Sequence, residues 1–176
     1  TVTSAPTAPV SPFGTTSFTV RFLPTSLGLK TAALHIASNV TGHMQSYDIG
    51  LEGSGLTVGE NWRQSHFGTH ENAGPAADAA DPNGNGIPNL LEYALNGDPA
   101  GSSTGASVLP QVIIPPAPSL ELSFTRYLDR PDLTLTVQAC DDLTGPWTDL
   151  ATSVGGAPFA PLFGGVVVNE TGSGNT

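Results

Sequence analysis

Basic side chains are scarce in this sequence. Of 176 residues only five are Lys or Arg, against 15 Asp or Glu, which leaves a formal charge of −10. The five, Arg21, Lys30, Arg63, Arg126 and Arg130, form no run. Displacing the counterions of nucleic acid or an anionic bilayer takes clustered cations, which argues against both as partners. Long apolar stretches are missing too. None approaches the ~20 residues of a membrane span, and no charged-then-apolar leader opens the chain. Cysteine is reduced to Cys140, which rules out an internal disulfide framework. Lys-, Glu- and Ala-rich runs are also lacking, which argues against an all-helical protein. What is plentiful is turn chemistry, with 21 Gly and 16 Pro, beside 38% hydrophobic residues. That composition is too apolar for disorder and suits one or two small, acidic, mainly β domains.

Residues 1–56 carry three strand signals of period two after a Pro-rich opening. Phe18, Val20 and Phe22 share one face of the first. Leu34 and Ile36 mark the second, and Tyr47, Ile49 and Leu51 the third. Turn residues at Leu23–Gly28 and Ser38–Gly42 separate them. One-sided alternation with short connections predicts an antiparallel sheet whose apolar face needs a second sheet over it.

The order Pro12-Phe13-Gly14, Phe18-Thr19-Val20-Arg21-Phe22, Ala33-Leu34-His35-Ile36 and Leu51-Glu52-Gly53-Ser54-Gly55 resembles the second half of a bacterial choice-of-anchor D domain. That family is immunoglobulin-like and related to the ASH (Hydin-like) domains. The resemblance implies a β-sandwich whose first strands are missing, since such a domain has ~7 strands over ~100 residues. The expected cover for the apolar face is upstream sequence of a parent chain, with the C-terminal β-unit folded back or strands from a neighbouring copy as the alternatives.

Residues 57–100 change character. Glu60–Phe67 predicts two helical turns stopped by Gly68, with Trp62 and Phe67 buried. Leu90, Leu91, Ala94 and Leu95 form a second helical stripe that ends at Asn96-Gly97. Residues 101–118 read as a linker, Gly/Ser-rich at 101–105 and Pro-rich at 115–118, that carries an apolar, β-branched stretch at Val108–Ile114. Residues 119–176 read as a second β-unit, with alternation at Leu120, Leu122 and Phe124 and again at Leu133, Leu135 and Val137. Its Asp142-Leu143-Thr144-Gly145-Pro146-Trp147 turn is similar to one in β-domains near the C-termini of large secreted bacterial proteins. No closing strand is evident, so this unit is expected to be cut short as well.

The most specific motif lies between Asp81 and Glu92. It fits D-x-[DN]-x-[DN]-G-x₅-E throughout, with Asp81, Asn83 and Asn85 at positions 1, 3 and 5, Gly86 at 6 and Glu92 at 12. Calcium takes six to eight oxygens, and this spacing supplies them. Three alternate side chains come from a tight turn, a backbone carbonyl from Ile87, a direct or water-borne contact from Asn89, and two oxygens from Glu92. Asp78 and Asp98 are candidate sources of charge from outside the loop. The loop resembles those of dockerins and thrombospondin type-3 repeats, which bind calcium structurally. Pro88 sits where an EF-hand loop usually has an apolar residue, and Pro75 precludes a long entering helix, which argues against an EF-hand that opens as a switch.

Other candidates read as structural. His66 and His70 are four apart beside Glu71, but Gly68 breaks the helix that would align them and H-E-x-x-H is absent. His35 and His43 have no partner pattern. G-x-S-x-G is absent, Cys140 follows an apolar strand, and Asp141-Asp142 flank a turn. Trp62 and Trp147 are candidate sugar-stacking platforms, but one tryptophan in a small domain is usually a core residue. The sequence therefore predicts a mainly β, non-enzymatic, calcium-stabilised structural or adhesion segment of a secreted or cell-surface bacterial protein. Surface glycans or proteins are its expected ligands. A carbohydrate-binding module of a secreted hydrolase and a fibre subunit assembled by strand complementation are the alternatives.

Overall fold

The computed structural model describes residues 1–6, 10–21, 23–37, 46–101, 104, 108–116 and 119–172. The chain is mainly β, with nine short strands and two α-helices among these residues. It divides into two compact units, Thr1–Thr57 and Val58–Thr176.

In the first unit β1 (Val2–Ser4) pairs antiparallel with β2 (Thr19–Val20), and β3 (Gly28–Ala37) pairs with β4 (Ser46–Gly55) along their whole length. The second and third strand signals are longer than the alternation alone defines, and the first is shorter. The expected turn at Ser38–Gly42, with Phe22 and His43, lies outside the described residues. Register places Ala32 opposite Leu51, Leu34 opposite Ile49 and Ile36 opposite Tyr47, so these six share one face of the β3–β4 ladder. None of them is buried. Gly55 is the one buried residue among those described in this unit. A two-stranded ladder without a covered face is marginal on its own.

The second unit begins with α1 (Val58–Phe67). Gly68 ends it in the left-handed region, at φ +72°, its N–H donating to the Gln64 carbonyl. A 3₁₀ turn at Gly74–Ala76 leads into the Asp81–Pro88 loop and α2 (Asn89–Leu95), which Asn96 caps at φ +63°. β5 (Gln111–Ile113) pairs with β6 (Glu121–Ser123), and β7 (Thr134–Ala139), β8 (Thr148–Val154) and β9 (Ala160–Pro161) form a three-stranded antiparallel sheet. β9 gave no alternation signal because it is two residues long and contains Pro161. Arg126 fastens the chain beyond it by pairing with Glu170 at 2.7 Å while donating to Ser153 Oγ and the Ala157 carbonyl.

The helical segment and the C-terminal strands share one core. Ile87, Ala94, Leu95 and Val108 are buried together, with Phe124, Leu133 and Leu135 packed against them. Each larger side chain so covered contributes about 1.5–3 kcal/mol. Polar contacts reinforce the docking. The Tyr127 main-chain N–H and the Arg130 side-chain Nε–H donate to the Ala94 and Tyr93 carbonyls respectively, which lie in the last turn of α2. The Arg130 guanidinium lies over both the Tyr93 and Tyr127 rings. The Tyr93 hydroxyl donates to Asp132 at 2.8 Å.

Two expectations are corrected here. Residues 101–118 are more than a linker, since Val108 enters the core and Gln111–Ile113 forms a strand. The buried face of α2 is Asn89, Glu92, Tyr93, Ala94 and Leu95, whereas Leu90 and Leu91 stay 42% and 39% exposed. The helix is turned so that a carboxylate and a carboxamide point inward. Trp62 and Phe67 are likewise only half-buried, packed edge to face on each other.

Candidate metal centre

The Asp81–Glu92 segment folds around its own polar side chains. Gly84 and Gly86 take positive φ, +71° and +85°, and let the chain reverse twice within a few residues. Asp81 accepts from two backbone N–H groups, Asn85 at 3.1 Å and Gly86 at 2.8 Å. Asn83 Oδ1 accepts from the Asn85 N–H at 3.1 Å, and Asn85 Oδ1 accepts from the Ile87 N–H at 2.8 Å. Residues 81, 83 and 85 are thus held on one side of the turn. Ile87 sends its side chain into the core and so anchors the loop to the sheet.

Glu92 closes the loop from α2 and is 0% exposed. Its Oε1 accepts from the side-chain amides of Asn85 at 2.9 Å and Asn83 at 3.3 Å. Its Oε2 is buried and accepts no hydrogen bond. No Lys, Arg or His pairs with it among the described residues. A buried carboxylate without a cation is costly, by several kcal/mol even after relaxation. The chain nevertheless packs tightly to keep it there. A Cβ on Gly97 would lie 2.8 Å from Glu92 Cβ and Cγ, so only glycine lets the tail of α2 fold back over this side chain.

Asn89, expected at position 9 of the loop, uses its nitrogen groups to hold the preceding turn. Its side-chain nitrogen donates to the Pro75 and Ala77 carbonyls, both at 2.8 Å, and its N–H donates to the Ala80 carbonyl. It brackets the 3₁₀ turn to the start of α2, and its Oδ1 is the second buried oxygen without a partner. Asp78 is also committed, paired with Arg63 at 3.1 Å and Asn72 at 2.8 Å. Asp98 is closer to the loop. Its main-chain carbonyl accepts from Asn83 Nδ2 at 3.0 Å, and its carboxylate accepts from the Ala100 N–H. Neither Gly97 nor the Asp98 carbonyl was singled out from the sequence. The Asn96-Gly97-Asp98-Pro99 run signals a helix stop, and nothing local says that the stop folds back onto residue 92.

The donor set is two carboxylates and two carboxamides, a hard-oxygen set suited to calcium rather than to a transition metal. Among the described residues no three His, Cys, Asp or Glu side chains gather into a metal-binding group. His66 leans on Trp62, with its Nδ1 4.0 Å from Asp98, and His70 Nε2 is 3.2 Å from Glu71. His35 bonds Asp48 across the β3–β4 ladder. Asp142 is solvent-exposed and turned onto Thr144, whose N–H holds its carboxyl below the usual range. Cys140 is half-exposed. A cleft of about 230 Å³ lies between α1, α2 and the turn before β7. The polar groups on its wall already bind one another, Arg63 with Asp78 and Tyr93 with Asp132. Comparison with known protein families, curated proteins and solved structures found no match.

Proposed function

We propose that this chain is a non-enzymatic structural segment of a secreted or cell-surface protein, in which residues 81–92 bind calcium to stabilise Val58–Thr176. The observation that carries the reading is Glu92, a fully buried carboxylate with one oxygen unpartnered at the closing position of a complete calcium-loop pattern. Asp81, Asn83, Asn85 and Glu92 would hold the ion with side-chain oxygens, and Ile87 with its carbonyl. The ion would supply the positive charge that the buried carboxylate lacks and tie the loop to α2. Because α2 packs on the C-terminal strands through Leu95, Ala94 and Tyr93, fixing the loop also fixes that docking. Two charged ligands set the affinity in the weak extracellular range, roughly 10⁻⁴ to 10⁻³ M.

Calorimetry tests this directly. Calcium uptake at millimolar concentration is expected for the native chain and none for Glu92→Ala. Equal uptake by both, or none by the native chain, removes the reading.

In the first unit, the period-two pattern and the open apolar face support an immunoglobulin-like sheet completed by further strands, from upstream sequence or a neighbouring copy. A carbohydrate-binding role has one favouring observation, the 53% exposure of Trp147. Glycan-array binding lost in Trp147→Ala would support it.

A further inference from the structure

The firmly placed ligands of the loop leave room for a further oxygen in the calcium shell. Counting one oxygen from Asp81, one each from Asn83, Asn85 and Ile87, and two from Glu92 reaches the lower limit of what calcium accepts. Position 9 ordinarily adds another, directly or through water. Here the Asn89 side-chain nitrogen is held by the Pro75 and Ala77 carbonyls, both at 2.8 Å, and its Oδ1 is buried without a hydrogen-bond partner. Resting on the calcium reading, we infer that the main-chain carbonyl of Asp98, from outside the loop, completes the shell.

Three observations converge on that oxygen. Asn83 Nδ2 sits 3.0 Å from the Asp98 carbonyl and 3.3 Å from Glu92 Oε1, so one N–H donor bridges the carbonyl and the buried carboxylate, as a cation would. A carbonyl has two acceptor sites, and the Gly101 N–H occupies the other from the turn side at 3.2 Å. The turn is also built to stay put. Pro99 is fully buried, and the Asp98 carboxylate accepts from the Ala100 N–H at 3.1 Å, which leaves the carbonyl aimed at the loop. When the ion enters, the Asn83 nitrogen leaves this position, and a half-turn of its amide exchanges nitrogen for oxygen. The ion then ties the exit of α2 to the loop that precedes it. A shell of seven oxygens, two of them main-chain carbonyls, favours calcium over magnesium, which demands a small octahedral shell.

The test is a calcium titration of the ¹³C,¹⁵N-labelled 1–176 chain, read by carbon-detected C′–N correlation. Ile87 and Asp98 both precede proline, so amide-proton methods miss their carbonyls. Both ¹³C′ signals are expected to move and to saturate at one dissociation constant. An Ile87 signal that saturates while Asp98 stays still overturns the Asp98 assignment and leaves the calcium reading intact. If neither moves at millimolar calcium, the calcium reading fails and takes this inference with it. Asp98→Asn keeps the carbonyl and the turn, so its affinity should stay within about twofold of native. A loss of about tenfold or more would instead make the carboxylate the ligand.

Discussion

At the scale of single residues, Glu92 and Asn89 are easily confused. Both are buried on the same side of a short helix, three positions apart, and each leaves an oxygen unpartnered. Their neighbours separate them. Glu92 receives two carboxamides from the loop, whereas Asn89 donates to two backbone carbonyls of the preceding turn. Asn89→Ala takes a donor from both carbonyls, leaving Ala77 with the Ala80 N–H, and should cost about 1–3 kcal/mol, equally with calcium and with chelator. Glu92→Ala should instead abolish the calcium-dependent part of stability. For the native chain that part is about 2.7 kcal/mol at a hundredfold excess of calcium over its dissociation constant. Denaturant unfolding of both variants, each with calcium and with chelator, checks the pair. Gly97→Ala forces a Cβ into Glu92 and should destabilise by about 1–3 kcal/mol.

At the scale of elements, the docking of α2 on the C-terminal strands is mostly polar at its rim. Tyr93 is the hinge of that contact, and burial, with the Asp132 hydrogen bond and charge adding to it, pushes its hydroxyl pKa well above 10.0. In the unfolded chain a tyrosine ionises near 10, so above that pH the unfolded state holds fewer protons than the folded one. Stability is therefore unaffected by this group below pH 10 and falls as pH rises beyond it. Tyr93→Phe should lose about 1 kcal/mol at pH 7, from its hydrogen bond to Asp132, and flatten the fall above pH 10. Unfolding midpoints between pH 8 and 11 measure both. Proteolysis probes the same contact. Trypsin has few sites in this chain, and the Arg126–Tyr127 bond lies beside the Tyr127 N–H that caps Ala94. Its cleavage should accelerate when calcium is chelated. An unchanged rate would separate the ion from the docking.

At the scale of the whole molecule the two units differ in kind. Residues 58–176 contain 13 of the acidic side chains and three of the basic ones, so they carry the entire −10, and they enclose a core. Residues 1–57 are electrically balanced and have no buried side chain among those described. Hydrogen exchange should divide accordingly, with slow amides in α2, β7 and β8 and fast ones throughout β3 and β4 in a monomeric sample. Light scattering should show association that grows with concentration, because an uncovered apolar face with open edges favours pairing. Ile36→Lys, on that face, should suppress it. Protected β3 and β4 amides in a strictly monomeric chain would show that the face is covered by the chain's own residues.

What the sequence determined by itself is everything set by near neighbours. The period-two alternation of residues 33–36 and 47–51 marks strands, Gly68 and Asn96-Gly97 mark helix ends, and the 1-3-5-6-12 spacing marks a loop that gathers oxygens. These are consequences of backbone geometry within a few residues. Tertiary structure decided which face of α2 turns inward. Of the stripe Leu90, Leu91, Ala94 and Leu95, only Ala94 and Leu95 are buried, and Asn89, Glu92 and Tyr93 join them in place of the two leucines. The loop and 3₁₀-turn partners of Asn89 and Glu92 lie as much as fourteen residues away, and a hydrophobic pattern does not register such hydrogen bonds. The same holds for Gly97 over Glu92, the Asp98 carbonyl beside Asn83, and Val108 inside the core from a stretch that reads as linker. Each depends on a chain reversal whose direction is fixed by packing, and packing is a property of the assembled unit rather than of any one segment.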